Sequence, residues 1–184
     1  MTNKLFLIMI FSCFAVTVFS QKHITKTGTI DIFSETPIFT IEGTNKKVAS
    51  ILNTDNGEIV ASTLVRSFKF DEALVEEHFN ENYIESHKFP KAIFKGKIEN
   101  YTKGDIEKDG VYTLSILGKL TIHGQTREIL QKIKLTVKNG IISGTSTFNV
   151  SLKNYGIKVE KAYKDAIKDA ILLEIGLNFK PYTK

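Results

Sequence analysis

Apolar and polar residues alternate with a period of two along most of this chain. The clearest run covers residues 112–123, where every second residue is apolar or glycine, and residues 129–137, 142–152 and 171–179 follow the same pattern. Side chains of a β-strand point alternately to opposite faces of the sheet, so each run predicts a strand with one apolar face. An antiparallel sheet built from such strands has to cover that face.

Shorter β-type runs extend the predicted sheet toward the N-terminus. They cover residues 29–32, 38–41 and 92–98, together with one long strand candidate, residues 58–70. The predicted shared face of that long strand consists of Val60, Leu64, Phe68 and Phe70.

Two Asn-Gly pairs, Asn56-Gly57 and Asn139-Gly140, predict type I′ hairpin turns, because such turns need positive φ at both central residues. The chain then holds eight or nine antiparallel strands of roughly 9 to 13 residues, well above the usual length of about 5 to 6. Long alternating strands favour a closed barrel over a sandwich. We therefore predict an all-β fold, an antiparallel β-barrel of about eight strands, whose interior is either filled by side chains or holds one ligand.

One region departs from the period of two. Between Asp71 and Ser86 the apolar residues follow helical spacing, Asp71 can cap a helix, and Pro90 stops it. We predict that this short helix closes one end of the barrel. A second helical turn is predicted over residues 162–170.

The N-terminus has the order of a secretory signal. Lys4 precedes an apolar stretch of about 15 residues, shorter than the roughly 20 that span a bilayer. We predict a signal peptide over residues 1–20 and one barrel domain over residues 21–184. One alternative is that the segment is kept as a membrane anchor. Another is that Cys13, the single cysteine of the chain, is acylated.

Charge gives a weak indication of partners. The chain carries 25 basic and 20 acidic residues, a net charge of +5, and the lysines are dispersed along the sequence. The simpler interpretation of these lysines is an ordinary solvated surface. The more specific one is a weak preference for anionic head groups or a transient contact with a membrane surface. The sequence contains no stripe of alternating aromatic and basic residues that would indicate nucleic-acid binding. The oligomeric state stays open, a dimer included.

Three segments carry a resemblance to a known family. Glu77-His78-Phe79, with the residues up to Gly96, combines a short helix, an aromatic-proline corner and a strand containing Phe94. Residues 118–127 form a strand ending in a His-Gly turn, and residues 148–157 form a strand that runs into an aromatic-Gly corner. In order and spacing these segments resemble the signatures of the YceI-like family over residues 28–180.

The resemblance implies a lipocalin-like, elongated antiparallel β-barrel that is exported, usually to the bacterial periplasm, with secretion or lipid anchoring as alternatives. It also implies that the barrel holds a polyisoprenoid chain or a similar lipid without covalent attachment, and that no cofactor is needed. The chain departs from the pattern at Asn154-Tyr155, where many members carry an acidic-aromatic pair.

The apolar faces predict the wall of such a site. Each buried CH₂ contributes about 0.8 kcal/mol, so a long chain can bind tightly without hydrogen bonds. Glycines on the same faces, at positions 96, 118 and 144, favour a hollow interior, and Arg66, Lys88 or Lys91 could meet an anionic head group. The predicted lipid-binding residues are Phe68, Phe94, Leu114, Ile116, Phe148, Val150, Leu173 and Ile175 in the wall, and Phe79, Tyr83 and Phe89 in the lid.

Two other functions compete with lipid binding. The first is an interaction or stress-response module whose barrel is packed and binds no ligand. The second is a metal-assisted hydrolase built around His78 and His87, but their separation is not a recognised ligand spacing. The sequence has no nucleophile elbow, phosphate loop or dinucleotide fingerprint. We therefore expect no enzymatic activity, no catalytic residues and no metal.

Overall fold

A computed structural model of the protein describes residues 22–35, 40–159, 167 and 169–182. The predicted signal peptide and most of the predicted helical turn at 162–170 lie outside these residues. The nine strands of the described part are β1 (Lys22–Glu35), β2 (Thr40–Asn53), β3 (Glu58–Leu64), β4 (Lys69–Phe70), β5 (Lys91–Ile98), β6 (Gly110–Ile122), β7 (Gln125–Lys138), β8 (Ile141–Ser151) and β9 (Ala170–Pro181). Helix α1 (Ala73–His78) continues as a π-helical turn (Phe79–Tyr83), and two 3₁₀ turns cover Val65–Ser67 and Lys153–Tyr155.

Eight of these strands form a closed antiparallel barrel. They follow the order β1-β9-β8-β7-β6-β5-β3-β2, and β2 pairs with β1 to close the ring. The two-residue strand β4 pairs with β2 outside this ring, at Gly43 and Thr44. The structure confirms the predicted all-β barrel of about eight strands with one short helix. Closure leaves each long strand paired on both sides, so the apolar faces can all point inward.

The hairpin turns follow the prediction at one Asn-Gly pair and depart from it at the other. Asn139 and Gly140 both have positive φ, 50° and 74°, and join β7 to β8 as a two-residue turn. His123 and Gly124 do the same between β6 and β7. At the β2–β3 turn only Gly57 has positive φ, so the type I′ prediction is wrong there. This longer turn is closed by the Gly57 amide, which donates to the Asn53 carbonyl at 2.9 Å.

The predicted long strand 58–70 is interrupted, and its predicted face is wrong for Val60 and Leu64, although Phe68 and Phe70 do lie on the interior side. Val60 and Leu64 are 41% and 50% exposed, whereas Ile59 and Val65 are buried. In β3 the odd-numbered residues point inward. The 3₁₀ turn that follows shifts this alternation by one residue, so the even-numbered Phe68 points inward. The partner strand β5 explains the break, because it begins directly after Pro90, which has no amide hydrogen for a ladder bond.

The barrel interior is packed at one end and open in its middle. Leu52, Leu135 and Phe179 are completely buried in an apolar cluster that plugs the end near the β2–β3 turn. A second apolar cluster, which includes Leu120, Val150 and Ile157, lies toward the end that carries α1. The region between these clusters holds the cavity described next.

Candidate functional site

A large cavity occupies the barrel between the two apolar clusters. Its volume is about 640 Å³, and its surface is almost entirely apolar. Side chains from strands around the whole ring contribute to the wall, as expected for a barrel in which alternate residues point inward. The polar side chains in the lining of the described residues are Ser34, Ser62, Thr63, His78, Tyr83, Gln131 and Ser146.

Most of the predicted wall and lid residues border this cavity. Phe68, Phe79 and Phe94 supply aromatic rings, and β8 and β9 supply much of the remaining surface. The predicted residues in the lining are Phe68, Phe79, Tyr83, Phe94, Ile116, Phe148, Val150, Leu173 and Ile175. Leu114 and Phe89 are not among them.

Leu114 and Phe89 differ from the prediction for separate reasons. Leu114 does point inward, but it packs against the apolar cluster at the plugged end. Phe89 lies outside the barrel, where its ring meets the His123 ring edge-on at a centroid distance of 4.4 Å. It also lies against Gly124, where an added Cβ would come within 2.6 Å of the ring.

The glycines on the inward faces do not enlarge the cavity as predicted. The ring of Phe94 lies flat across β5 and β6, and a Cβ added at Gly96 or Gly118 would lie 2.5 or 2.6 Å from it. At Gly144 the neighbouring Leu135 takes the space. The glycines therefore allow Phe94 to lie against the sheet, and the hollow interior arises above that ring.

The segment containing α1 lies across the open end of the barrel. The ring of Phe79 packs against Phe68 and Phe70, at centroid distances of 5.5 and 5.0 Å. Leu74 and Val75 also border the cavity, although Leu74 is 62% exposed. An exposed residue in the cavity wall marks this end as the mouth. The α1 segment is therefore positioned as a lid held by aromatic contacts.

The start of α1 is stabilised by Glu76, not by the predicted Asp71 cap. The helix begins at Ala73, and no side chain caps its N-terminus. Instead the Glu76 carboxylate accepts hydrogen bonds from Lys69 Nζ at 2.5 Å and from the Phe70 amide at 3.3 Å. The bond from Lys69 is the main cause that lowers the pKa of Glu76. This carboxylate connects α1 to β4, next to the Phe70 ring that packs on Phe79.

A polar latch fastens the far end of the lid. Glu85 Oε2 lies 2.8 Å from His123 Nε2, and His123 Nδ1 lies 3.1 Å from the Tyr155 carbonyl oxygen. Both ring nitrogens therefore face hydrogen-bond acceptors of the lid and of the β8–β9 connection. Lys88 also donates to Glu85, and this bond, followed by the His123 bond, lowers the pKa of Glu85. Sequence reasoning assigned His123 to a turn and missed Glu85, because only the fold brings them together.

The strand ladder between β7 and β8 is incomplete. Their ladder pairs residues 134–138 with residues 141–145 and then stops, although β7 pairs with β6 over its whole length. Beyond that point Ser146 Oγ donates to the Lys132 carbonyl at 2.7 Å in place of a backbone bond. Ser146 and Gln131 both border the cavity here. We refer to the unpaired stretch as the seam.

The described residues provide little for metal chemistry. They contain no group of three or more His, Cys, Asp or Glu side chains that could hold a metal ion. His78 borders the cavity, whereas His87 lies outside its lining with Nδ1 4.0 Å from a Glu81 carboxylate oxygen. Within the same residues, no helix is both long and apolar enough to cross a membrane.

Comparison with known proteins identifies the family. The family model described as the YceI-like domain matches residues 15–179. The chain belongs to the YceI-like family. A search among curated proteins finds no relative that matches this YceI-like chain.

Solved structures share the fold of this YceI-like protein at low sequence identity. A polyisoprenoid binding domain from Saccharophagus degradans is 10% identical, with a TM-score of 0.76 over 89% of this chain and 99% of its own. Burkholderia cenocepacia BcnA is 12% identical, with a TM-score of 0.69 over 83% and 96% of the two chains. The Campylobacter jejuni YceI protein is 16% identical, with a TM-score of 0.54 over 75% and 84%.

Proposed function

We propose that this protein binds one long apolar lipid, of isoprenoid or similar type, in the barrel cavity and serves to carry or store it. The observation that supports this proposal most directly is the cavity of about 640 Å³ with an apolar wall. Water gains few hydrogen bonds there, and each buried CH₂ of a ligand contributes about 0.8 kcal/mol. The polyisoprenoid binding domain that shares the fold makes an isoprenoid chain the first candidate.

The lining favours selection by shape over selection by polar recognition. The described wall contains no Lys, Arg, Asp or Glu side chain, and His78 and Tyr83 are its titratable groups. A catalytic site needs an acid-base pair or an activated nucleophile in mutual reach, and this wall offers neither arrangement. We therefore propose a binding protein without enzymatic activity. The alternative with a packed barrel predicted no cavity and is not supported.

Export is a further part of the proposal. The signal-like order of residues 1–20 supports it, with the periplasm as the first compartment to examine. N-terminal sequencing of the protein recovered from cell fractions tests it. We expect the exported form to begin at Gln21, and a protein that keeps Met1 in every fraction would refute cleavage.

Lipid extraction tests the binding itself. The protein is purified from cells with and without added membrane extract, treated with organic solvent and analysed by mass spectrometry. We expect one dominant apolar species per barrel. Ile175→Arg should lose this species because it places an unpaired charge in the apolar wall, whereas Glu174→Arg, on the exposed side of the same strand, should retain it. Circular dichroism checks that both variants fold. The absence of lipid from both preparations of the parent protein would refute the proposal.

A further inference from the structure

Folding gathers lysines that are dispersed in the sequence onto one outer face of the barrel. This basic face is formed by outward residues of β5, β6 and β7. Its cations away from the β7–β8 turn are Lys91, Lys95, Lys97, Lys119, Lys132 and Lys134, all of them exposed. Within the described residues, none of these six lysines forms a salt bridge.

Acidic residues neutralise only part of this charge. Glu58 is the register partner of Lys97, Glu128 is the partner of Lys119, and Glu99 follows β5 on the outward side, so the six lysines keep a surplus of three positive charges. Lys95 and Lys119 lie directly opposite each other on adjacent strands. Like charges in such a pair destabilise the sheet. An anionic partner would remove this repulsion.

The outward side of β8, across the seam, is entirely different. Its outward residues are serine, threonine, asparagine and one isoleucine, with no charged side chain between residues 141 and 151. The run of positive charge on β5, β6 and β7 therefore ends at the seam.

Exposed aliphatic side chains lie among these lysines. Leu117 and Leu130 are register partners on β6 and β7, and they are 41% and 57% exposed. Val60, the register partner of Lys95, adds a third aliphatic side chain that is 41% exposed. Single exposed leucines are ordinary, but a contiguous pair bordered by cations marks an interaction surface.

We propose that the basic face docks on an anionic lipid bilayer, with the lysines at the head groups and the Leu117–Leu130 pair in the interfacial layer. Lysine is a compact, strongly hydrated charge that suits a diffuse anionic surface. Protein interfaces instead favour arginine and aromatic residues and are depleted in lysine, and nucleic-acid sites add aromatic stacking. The basic face contains neither arginine nor an aromatic residue. This docking does not depend on what fills the cavity.

The position of the basic face is suitable for the exchange of a lipid between the barrel and a membrane. Strand β7 carries Leu130 and Lys132 on its outward side, and the same strand forms one edge of the seam. Docking through this face therefore brings the seam next to the lipid.

Vesicle binding tests the docking with the chain from Gln21 onward, which contains every described strand. Flotation compares vesicles of phosphatidylcholine with vesicles of phosphatidylcholine and phosphatidylglycerol in equal amounts. We expect binding to the anionic vesicles at about 0.1 M salt and its loss at about 1 M, where the Debye length falls to roughly 3 Å. Equal binding to neutral vesicles, or an anionic binding that salt does not weaken, would overturn the proposal.

Paired variants locate the surface. Each lysine near an anionic surface contributes about fivefold to binding, so the double variant Lys95→Gln/Lys119→Gln should bind about 25-fold more weakly. The matched control Lys46→Gln/Lys180→Gln removes the same charge from exposed positions on β2 and β9 and should lose far less. Equal losses in the two double variants would show that net charge alone acts, which contradicts a defined face.

A tryptophan probe reports insertion of the leucine pair. The chain contains no Trp, so Leu130→Trp gives a signal without background. We expect its emission to shift to the blue on anionic vesicles, whereas Ile141→Trp, at an equally exposed site in the β7–β8 turn region, should not shift. The same blue shift in both variants, or binding to polyglutamate as tight as binding to vesicles, would overturn the proposal in favour of unspecific association or an acidic protein partner. A negative result for vesicle docking would not alter the result of lipid extraction, and a negative lipid extraction would not alter the docking result.

Discussion

Filling the cavity from the wall separates ligand binding from folding. Ala61 on β3 borders the cavity, and its neighbour Val60 points outward and is 41% exposed. Ala61→Phe therefore places a phenyl ring in empty space, and Val60→Phe places the same ring in solvent. The two variants differ only in the side of the barrel wall that receives the added volume.

The expected size of the effect follows from the volume that the ligand loses. A phenyl ring displaces about four CH₂ groups of a bound chain, at about 0.8 kcal/mol each, which makes binding roughly 200-fold weaker. The unliganded protein should not lose stability, because the ring meets a void and not packed atoms. Reducing a cavity usually raises the free energy of unfolding, here by about 1 kcal/mol.

Two measurements on the same pair of variants test whether the ligand occupies this cavity. Nile red fluorescence, with displacement by geranylgeraniol, reports the affinity for apolar ligands, and urea unfolding reports the stability. We expect Ala61→Phe to bind weakly and unfold at a higher urea concentration, with Val60→Phe close to the parent in both. Unchanged affinity in Ala61→Phe, or an equal loss in Val60→Phe, would show that the ligand does not occupy this cavity.

Three further predictions concern the packing and the lid. Gly118→Ala should cost about 1 to 3 kcal/mol in urea unfolding, because its Cβ would lie 2.6 Å from the Phe94 ring and 2.7 Å from backbone atoms of β5. Phe79→Ala removes the ring contact with Phe68 and should speed dye release severalfold while lowering stability by about 2 kcal/mol, since the ring is only half buried. Because the pKa of Glu85 is lowered in the folded protein, its contribution is present above the ordinary glutamate pKa and is lost as the pH falls through the lowered value. Dye release should therefore accelerate below about pH 4 in the parent and much less in Glu85→Gln, and identical pH profiles would contradict the latch.

The sequence predicts inward faces well wherever the strand ladder is continuous. On β6, β8 and β9 the apolar residues of each alternating run point inward, because an unbroken antiparallel ladder preserves the period of two. The failure at residues 58–70 arises from a partner far along the chain. Pro90 ends the β5 ladder, and the alternation of β3 itself contains no sign of this.

Facing inward does not tell whether a residue meets a void. Leu114 and Ile116 are two positions apart on the same face of β6, yet Ile116 borders the cavity and Leu114 packs in the plugged end. Whether an inward residue meets the void or packed side chains depends on the large side chains that other strands place beside it, because even Ile133, the register partner of Leu114, borders the cavity. For the same reason the basic face could not be predicted, because Lys95 and Lys119 become neighbours only through the register of β5 and β6.

One end of the barrel stabilises the fold, and the other end gives access to the cavity. At the plugged end Phe179 and Leu135 are fully buried, and Tyr101 donates to the Thr54 carbonyl at 2.7 Å. Burial, followed by the nearby carboxylates, raises the pKa of Tyr101 to about 12, so this bond persists over the physiological range. The mouth instead relies on half-buried rings and the Glu85 latch. Regions with few buried contacts open at lower free energy than the core, so the lid can move for a ligand while the barrel below it stays folded.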